Sequence, residues 1–552
     1  MKYNNLIKDL PRYDNEVQFV KDYLTLCGVE NAEAYLEADV SDINFYPGYG
    51  VMNNVLLTLP NYREAQVYIV VDCDCDGLFS SAILIDYLQR EFDMCCYPLI
   101  HDSKIHGLDD EDIMVEIMNN PLPLVFIPDA SGTSEQCKKL KECGVEHIFI
   151  FDHHDLDDYH NEYAHIISNQ CPTNICNTKL SGTGVTWNVI TTLKNNLHLQ
   201  NTKNDLLYYA DMVACSLISD MCSLNSIENR ALIDYGLSHI NNPFLKELFD
   251  YYMKDEPYTG IDVAFNVIPK LNAAMRYGET HFIRLLLQTF VNPTDNMHQI
   301  IHELNKCYRY QTEFVKTETE RIMEDVHSNV VITDGLSNYT GLVANRILGN
   351  IHEPIAVLSS YDSDTQTYYG SMRSNFELRH LLNDSGITNW CRGHEQAFGI
   401  SVQANKVGEL RKYLQDLTTE YNIGYNVVTT LDAYNIPYEL LEVGEHYKWL
   451  WGEDIPYPEF GFNNIVISSD DIQIIGRNNT TIKFQYGNYT FIKFFVSETE
   501  KERLGLLGKH KQMLVLDIVG RLNLNVWNET ETPQVIIQNF ETSELNDWSH
   551  MF

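Results

Sequence analysis

Between about residues 66 and 151 the chain alternates short apolar runs with segments of helical periodicity. The runs are Val67–Val71, Cys95–Ile100, Leu124–Pro128 and His147–Phe151. Between them, Ser80–Glu91, Glu111–Asn119 and Ser134–Cys143 carry helical patterns. Buried runs separated by crossover helices predict a parallel sheet in an α/β domain. Ligands of such sheets gather at the carboxyl ends of the strands, so the residues just past each run carry the functional information.

From Asn296 to His327 the pattern changes. Ile300/Ile301, Leu304, Cys307/Tyr308, Phe314/Val315, Ile322/Met323 and Val326 recur at helical spacing, with no Gly or Pro among them. This predicts an amphipathic helix connecting two globular halves. Beyond it, Val330–Thr333, Ile355–Leu358 and Tyr368–Gly370 read as strands around a helix at Leu342–Gly349, a second and smaller α/β domain. The remainder is β-rich: Ile465–Ser468, Ile472–Ile475, Thr481–Gln485, Phe491–Phe495, Met513–Gly520 and Val535–Gln538 suggest a barrel or sandwich. The expected division is 1–45, an N-terminal extension; 46–295, the parallel-sheet domain with a helical part; 296–328, the connector; 329–425, the smaller α/β domain; and 426–552, the β domain.

Composition narrows the classes. The 552 residues are 44% apolar and 21% charged, enough for large cores and against wholesale disorder. The formal charge is −38, which argues against coating nucleic acid or anionic membrane by bulk charge but leaves room for a local basic groove. The 13 cysteines form no paired CxxC elements; the nearest approaches, Cys171/Cys176 and Cys215/Cys222, read as ordinary thiols rather than a metal site. Free thiols in that number fit a reducing cytoplasm. Met1–Glu16 has no apolar signal core, and no run of about 18 apolar residues exists, so the expectation is a soluble cytoplasmic protein with no membrane partner.

The chemistry sits where the apolar runs stop. Val67–Val71 runs into Asp72-Cys73-Asp74-Cys75-Asp76-Gly77. Three carboxylates at the end of a buried strand repel one another and resist desolvation unless divalent cations neutralise them. A solvated acidic turn is the plain alternative. However, Leu124–Pro128 ends in Asp129, His147–Phe151 ends in Asp152-His153-His154-Asp155, and the apolar run Met212–Ile218 ends in Ser219-Asp220. Four such coincidences, expected at one end of a sheet, point to a two-cation site. Carboxylates with imidazole favour Mn2+ or Mg2+ and hydrolytic phosphoryl transfer on a phosphoester or phosphoanhydride.

Those motifs resemble the DHH phosphoesterase superfamily and, within it, the RecJ single-stranded DNA exonucleases. The likeness continues through Leu180-Ser181-Gly182-Thr183-Gly184-Val185 and Pro269-Lys270-Leu271-Asn272-Ala273-Ala274-Met275-Arg276. It includes Gly341-Leu342-Val343-Ala344-Asn345-Arg346, Gly370-Ser371-Met372-Arg373-Ser374 and Gly393-His394-Glu395-Gln396-Ala397-Phe398-Gly399. Val519-Gly520-Arg521-Leu522 through Gln534-Val535-Ile536-Ile537 resembles the family's OB-fold extension. Departures are Met275 for a glycine, Lys270 for an arginine, and Cys391-Arg392 where a double glycine usually precedes the histidine. None removes a metal ligand.

The resemblance implies Asp74, Asp76, Asp129, His153 and Asp220 as metal ligands, with Asp129 and Asp220 bridging two divalent cations, and Asp72 either binding a cation or holding a ligand. It implies that His154 meets the scissile phosphate or leaving oxygen and that Asp152 orients a histidine. Arg276, Asn345, Arg346, Ser371, Arg373, Gly393 and His394 would bind the terminal nucleotide's phosphates, as guanidinium geometry suits. In the β domain, Tyr486, Tyr489, Phe491, Phe494 and Phe495 with Lys483 and Lys493 are candidates for stacking on unpaired bases. The implied activity is metal-dependent exonucleolytic hydrolysis of single-stranded DNA from the five-prime end, releasing mononucleotides. A single-strand-binding protein or helicase is the candidate protein partner. Alternatives are a phosphodiesterase for short oligonucleotides or cyclic dinucleotides, and a non-catalytic replication scaffold.

Overall fold

The computed structural model describes residues 1–45, 50–101, 105–154, 161–171, 177–197, 206–253, 256–294, 296–324, 328–336, 338–351, 353–420, 424–508, 512–527 and 530–544. Asp155 and Cys176 lie outside them.

The first domain is built on a five-stranded parallel sheet in the order Cys95–Ile100, Gln66–Val71, Leu124–Pro128, His147–Asp152, His165–Ser168. Helices Cys75–Phe92, Glu111–Asn119 and Ser134–Cys143 make the crossovers. Apolar clusters fill both faces, which is why the central strands read as unbroken apolar runs. Helix Cys75–Phe92 starts inside the acidic motif, earlier than the expected Ser80, because Asp74 caps it and accepts from Gly77 N at 3.0 Å. Its position fixes Asp76 in the first helical turn.

One expected strand end is corrected. Met212–Ile218 lies within a helix, Ala210–Ser219, and Asp220 is its C-cap residue. That helix is buried along most of its length, so its pattern is apolar without a visible 3.6 period. Strand His165–Ser168 completes the sheet and was not expected.

Helix Met297–Met323 joins the two halves by packing on both. Ile300, Ile301, Leu304 and Cys307 enter the core of the first domain, whereas Val315 and Ile322 enter that of the second. The second domain has a mixed sheet in the order Trp390–Gly393, Ala397–Gln403, Thr367–Arg373, Ile355–Asp362, Val330–Ile332. Only Val330–Ile332 and Ile355–Asp362 pair parallel in it.

The C-terminal sheet has six strands, ordered Glu459–Ser468, Met513–Trp527, Thr530–Glu544, Tyr489–Lys493, Thr481–Tyr486, Gln473–Ile475. Each expected run overlaps one of them. Two of the expected stacking residues are core instead: Phe491 is fully buried and Tyr489 is buried, its hydroxyl bonded to the backbone of Ile436. Lys493 is spent on Gln538 O at 3.0 Å and on Glu500 at 3.4 Å. Phe494 and Phe495 do face solvent.

The first 45 residues tie the first and last domains together. Tyr3–Asn5 pairs with Tyr425–Val427, and Tyr3 Oη donates to the carbonyls of Phe462 and Ile518. Helix Glu16–Leu26, capped by Asn15, buries Phe19 against Tyr13, Tyr23 and Phe460. Tyr35 Oη reaches Leu224 O at 2.6 Å on the first domain. One apolar cluster therefore runs through the N-terminal segment, the first domain and the C-terminal sheet, while the second domain keeps separate cores.

If that shared core sets stability, Phe19→Ala should cost about 3–5 kcal/mol. A urea titration followed by tryptophan fluorescence checks it; an unchanged midpoint would show that the N-terminal helix is peripheral.

Candidate active site

The carboxyl end of the parallel sheet gathers five carboxylates and two imidazoles. Asp72, Asp74 and Asp129 bring carboxylate oxygens within 4.8 Å of one another, as do the ligand atoms of Asp76, His153 and Asp220 and those of Asp129, His153 and His154. His153 Nε2 stands 3.3 Å from Asp129 Oδ1, 3.5 Å from Asp220 Oδ2 and 3.9 Å from Asp76 Oδ2. Yet His153 Nε2 and Asp129 Oδ1 are buried and make no hydrogen bond. Two orphaned buried donor atoms facing one another amid carboxylates fit a cation coordinated between them.

Electrostatics describe the same need. Burial first, and then Asp76, Asp74, Asp72 and Asp220, push the Asp129 carboxyl well above the ordinary carboxylate range. Burial raises Asp220 to about 6, with His153 opposing it and Asp76 and Asp74 adding to it. Asp129 also sits at φ 62°, uncommon for a residue with a side chain, held by its N–H to Phe151 O at 2.7 Å.

The framework clamps each acid. Asp76 accepts from the N–H groups of Gly182 at 2.7 Å and Thr183 at 2.8 Å, at the start of helix Gly182–Leu197, where backbone donors favour an anion. Thr183 Oγ1 and Ser216 Oγ also donate to it. Gly182 is close-packed here: a Cβ would fall 2.2 Å from Asp129 Oδ1. Asn272 Oδ1 accepts from Cys75 N at 3.0 Å and steadies the acidic turn. Both oxygens of Asp72 lie against His106 Nδ1, at 2.8 and 3.0 Å, and that carboxylate raises His106 well above the imidazole range. Sequence reasoning missed His106 and Ser216 altogether, for each is a lone polar residue far from a motif. It met Thr183 and Asn272 only inside matched segments, without a role. Cys215 and Cys222 form no cluster with other ligands among the described residues; Cys222 Sγ lies 3.6 Å from Asp220 Oδ2.

Asp152 orients the paired histidines. Its Oδ1 accepts from His154 Nδ1 at 2.8 Å and from the N–H of His153 at 2.8 Å. Burial works against the Asp152 charge, but the His154 bond, the charges of both histidines and the His154 N–H together lower its pKa; burial likewise opposes the His154 charge, and Asp152, Asp220 and Asp72 together lift it to about 10.

Across the cleft, the second domain presents cations. Ser371 and Arg373 share one face of strand Thr367–Arg373 and meet helix Thr340–Ile351 at Gly341. A Cβ on Gly341 would lie 2.6 Å from the Arg373 guanidinium and would make it shift; Thr340 Oγ1 bonds Ser371 Oγ at 2.8 Å. Burial, and then the nearby Arg276, lower Arg373 to about 10. His394 lies within the fields of His153, His154 and Arg373, which together with burial depress it. The 394 loop is held by Glu395, which accepts from Arg379 and His380, and Gly393 enters it at φ 125°. His394 thus stands among Arg373 and the paired histidines, with Arg276 near Arg373 and Ser371 on the same strand face. Asn345 and Arg346 stand exposed further along their helix, with no bond to that group among the described residues.

Because the folded protein holds the Asp220 proton more tightly than the unfolded chain does, metal-free stability falls as pH rises from 3.8 through about 6. Asp220→Asn stays uncharged and escapes that loss. In chelator, its melting temperature should gain on wild type between about pH 4 and about pH 7, and manganese should raise wild type more than the variant. Parallel melting curves for the two proteins would refute the charge crowding.

Residues 66–217 match the DHH family, N-terminal domain, and residues 430–539 match the RecJ OB domain. YorK of Bacillus subtilis strain 168, provisionally named a prophage-derived single-strand DNA-specific exonuclease, is 24% identical over a 567-residue alignment, covering 93% of this chain and 94% of YorK. The single-stranded-DNA-specific exonuclease RecJ of the same organism is 24% identical, covering 98% of this chain and 70% of RecJ. The crystal structure of Thermus thermophilus RecJ in complex with Mn2+ shares the fold with a TM-score of 0.71 at 20% identity, covering 98% of this chain and 80% of that one. The chain therefore carries, in order, a segment that matches a DHH-family N-terminal domain and one that matches a RecJ OB domain, and it resembles RecJ exonucleases in sequence and in fold.

Proposed function

We propose that this protein is an exonuclease that hydrolyses phosphodiester bonds of single-stranded DNA from the five-prime end, releasing mononucleotides by a two-metal mechanism. The observation that carries this reading is the pair of orphaned atoms, His153 Nε2 and Asp129 Oδ1, among carboxylates, with His394 near the paired histidines and Arg373 near His394. The names of the relatives and the matched RecJ OB domain support a polymeric single-stranded substrate.

Asp74, Asp76, Asp129, His153 and Asp220 would hold two Mn2+ or Mg2+ ions. Bound there, the cations would lower the pKa of water and offset charge developing at phosphorus. Asp72, fixed by His106, closes the acidic turn. His154 gives Nδ1–H to Asp152, which leaves Nε2 to meet the phosphate and to carry a proton to the leaving oxygen. Arg373 and Arg276 pair the phosphate oxygens, and Ser371 donates beside them. No helix of the described residues is long and apolar enough to cross a membrane.

Long single strands labelled at either end, dinucleotides and cyclic dinucleotides, each given with manganese, separate the readings. Terminal release from the five-prime label is expected, and preference for cyclic dinucleotides, or no turnover at all, would overturn the proposal. Asp76→Ala should fold and turn over nothing.

Arg373→Ala, measured in chelator, should weaken single-strand binding about 10- to 150-fold, the value of a charged hydrogen bond of about 1.5–3 kcal/mol. It should also flatten the log–log salt slope by roughly 0.7, one phosphate contact. Unchanged affinity and slope would place the phosphates elsewhere.

A further inference from the structure

Beside the cationic cleft stands an aromatic ladder with no assigned role. Tyr277 ends helix Ile268–Tyr277, directly after Arg276, and its ring stacks on Tyr310 of the connector helix with centroids 4.0 Å apart at 21°. Tyr310 is followed one turn on by Phe314, at 6.4 Å and 8°, and Phe314 meets Tyr339 at 5.0 Å. Tyr339 immediately precedes Thr340 and Gly341, the residues that seat Ser371 and Arg373. The ladder thus runs along one flank of the cleft, from Arg276 on one domain to the Arg373 seat on the other.

Its inner end is a packing element, for Phe314 and Tyr339 border the second domain's core. Its outer end is not. Tyr277 is 39% exposed and Tyr310 is 47% exposed. Two large rings stacked on each other and still open to water gain little from burial. Stacking fixes their orientation, however, and Arg276 supplies a cation beside them. Flat aromatic faces next to guanidinium groups are the combination that holds unpaired bases while their phosphates are neutralised.

We propose that Tyr277 and Tyr310 form a stacking platform for one base of the single-stranded DNA, near the phosphate held by Arg276 and Arg373. This rests on the exonuclease reading and adds to it a site that would distinguish a strand bearing bases from bare sugar-phosphate. Tyr310 backs Tyr277, and the Phe314–Tyr339 contacts couple the platform to the phosphate seat, so a base and its neighbouring phosphate would be engaged by one rigid unit.

The test uses the full chain in chelator and strands carrying a single abasic position or a single 2-aminopurine, moved stepwise from the five-prime end. For wild type, one position near that end should show quenched 2-aminopurine fluorescence, and an abasic residue there should weaken binding about 5- to 150-fold, the equivalent of about 1–3 kcal/mol for a stacked base. The double variant Tyr277→Leu/Tyr310→Leu should bind intact strands as weakly as wild type binds the abasic one and should ignore the abasic position. Tyr277→Phe/Tyr310→Phe, which keeps both faces, should restore quenching and discrimination. With manganese, the leucine variant should raise KM for long strands and leave kcat nearly unchanged. A wild type that cuts single strands but shows no quenched position, or a folded leucine variant that still discriminates, overturns the platform and leaves the exonuclease reading standing. Failure of wild type to bind or cut single strands overturns both.

Discussion

Mutual repulsion among buried carboxylates is the constraint around which this molecule is organised. Asp129 is enclosed with Asp72, Asp74, Asp76 and Asp220, and each raises its free energy of ionisation. A sheet end lined this way is unfavourable by itself, since isolated buried charge is tolerated only when paired. The surroundings answer with directed donors, the backbone N–H groups of Gly182 and Thr183 and the hydroxyls of Thr183 and Ser216, and with the imidazoles of His106 and His154, whose protons Asp72 and Asp152 hold, while the side chain of Asn272 holds the turn itself. These contacts fix position without neutralising the cluster, and the net negative charge that remains is what a cation site requires.

The clamps come from separate parts of the chain, and that dictates much of the fold. Helix Gly182–Leu197 must start against Asp76, helix Ala210–Ser219 must deliver Ser216 and Asp220 one turn apart, and helix Ile268–Tyr277 must set Asn272 on the acidic turn and Arg276 over the cleft. Residues 272 and 276 share a helix face, so a single element reports the acids to the phosphate side. The small residues answer the same crowding. Gly182 lets a helix terminus approach Asp129, and Gly341 lets a helix pass under Arg373.

Much of this was legible in the sequence for a physical reason. In a doubly covered parallel sheet the strands are uniformly apolar, so they are visible as runs, and the polar residues at the end of each run are visible as chemistry. Asp74, Asp76, Asp129, Asp152, His153 and His154 were found that way and converge. Asp220 was found by the same rule applied to a segment that is a helix, because complete burial erases the period that tells helix from strand. His106 and Ser216 left no pattern, and their roles exist only in three dimensions. In the β domain, Tyr489 and Phe491 could not be told from Phe494 and Phe495, since alternation along a strand names two faces without saying which is core.

Charge completes the picture. A formal −38 spread over the protein opposes nucleic acid nearly everywhere. Arg276 lies near Arg373, and Arg373 and the paired histidines lie near His394, so positive charge is gathered at one place in an acidic protein. The shared core of the N-terminal segment, first domain and C-terminal sheet sets one wall of that cleft, the separately packed second domain sets the other, and helix Met297–Met323 is anchored in both. The spacing between the acids and Arg373 is therefore tied to this helix, which also carries Tyr310 and Phe314 of the aromatic ladder. A change in the packing of Leu304 or Val315 would act on the distance between the acid cluster and Arg373 without touching either.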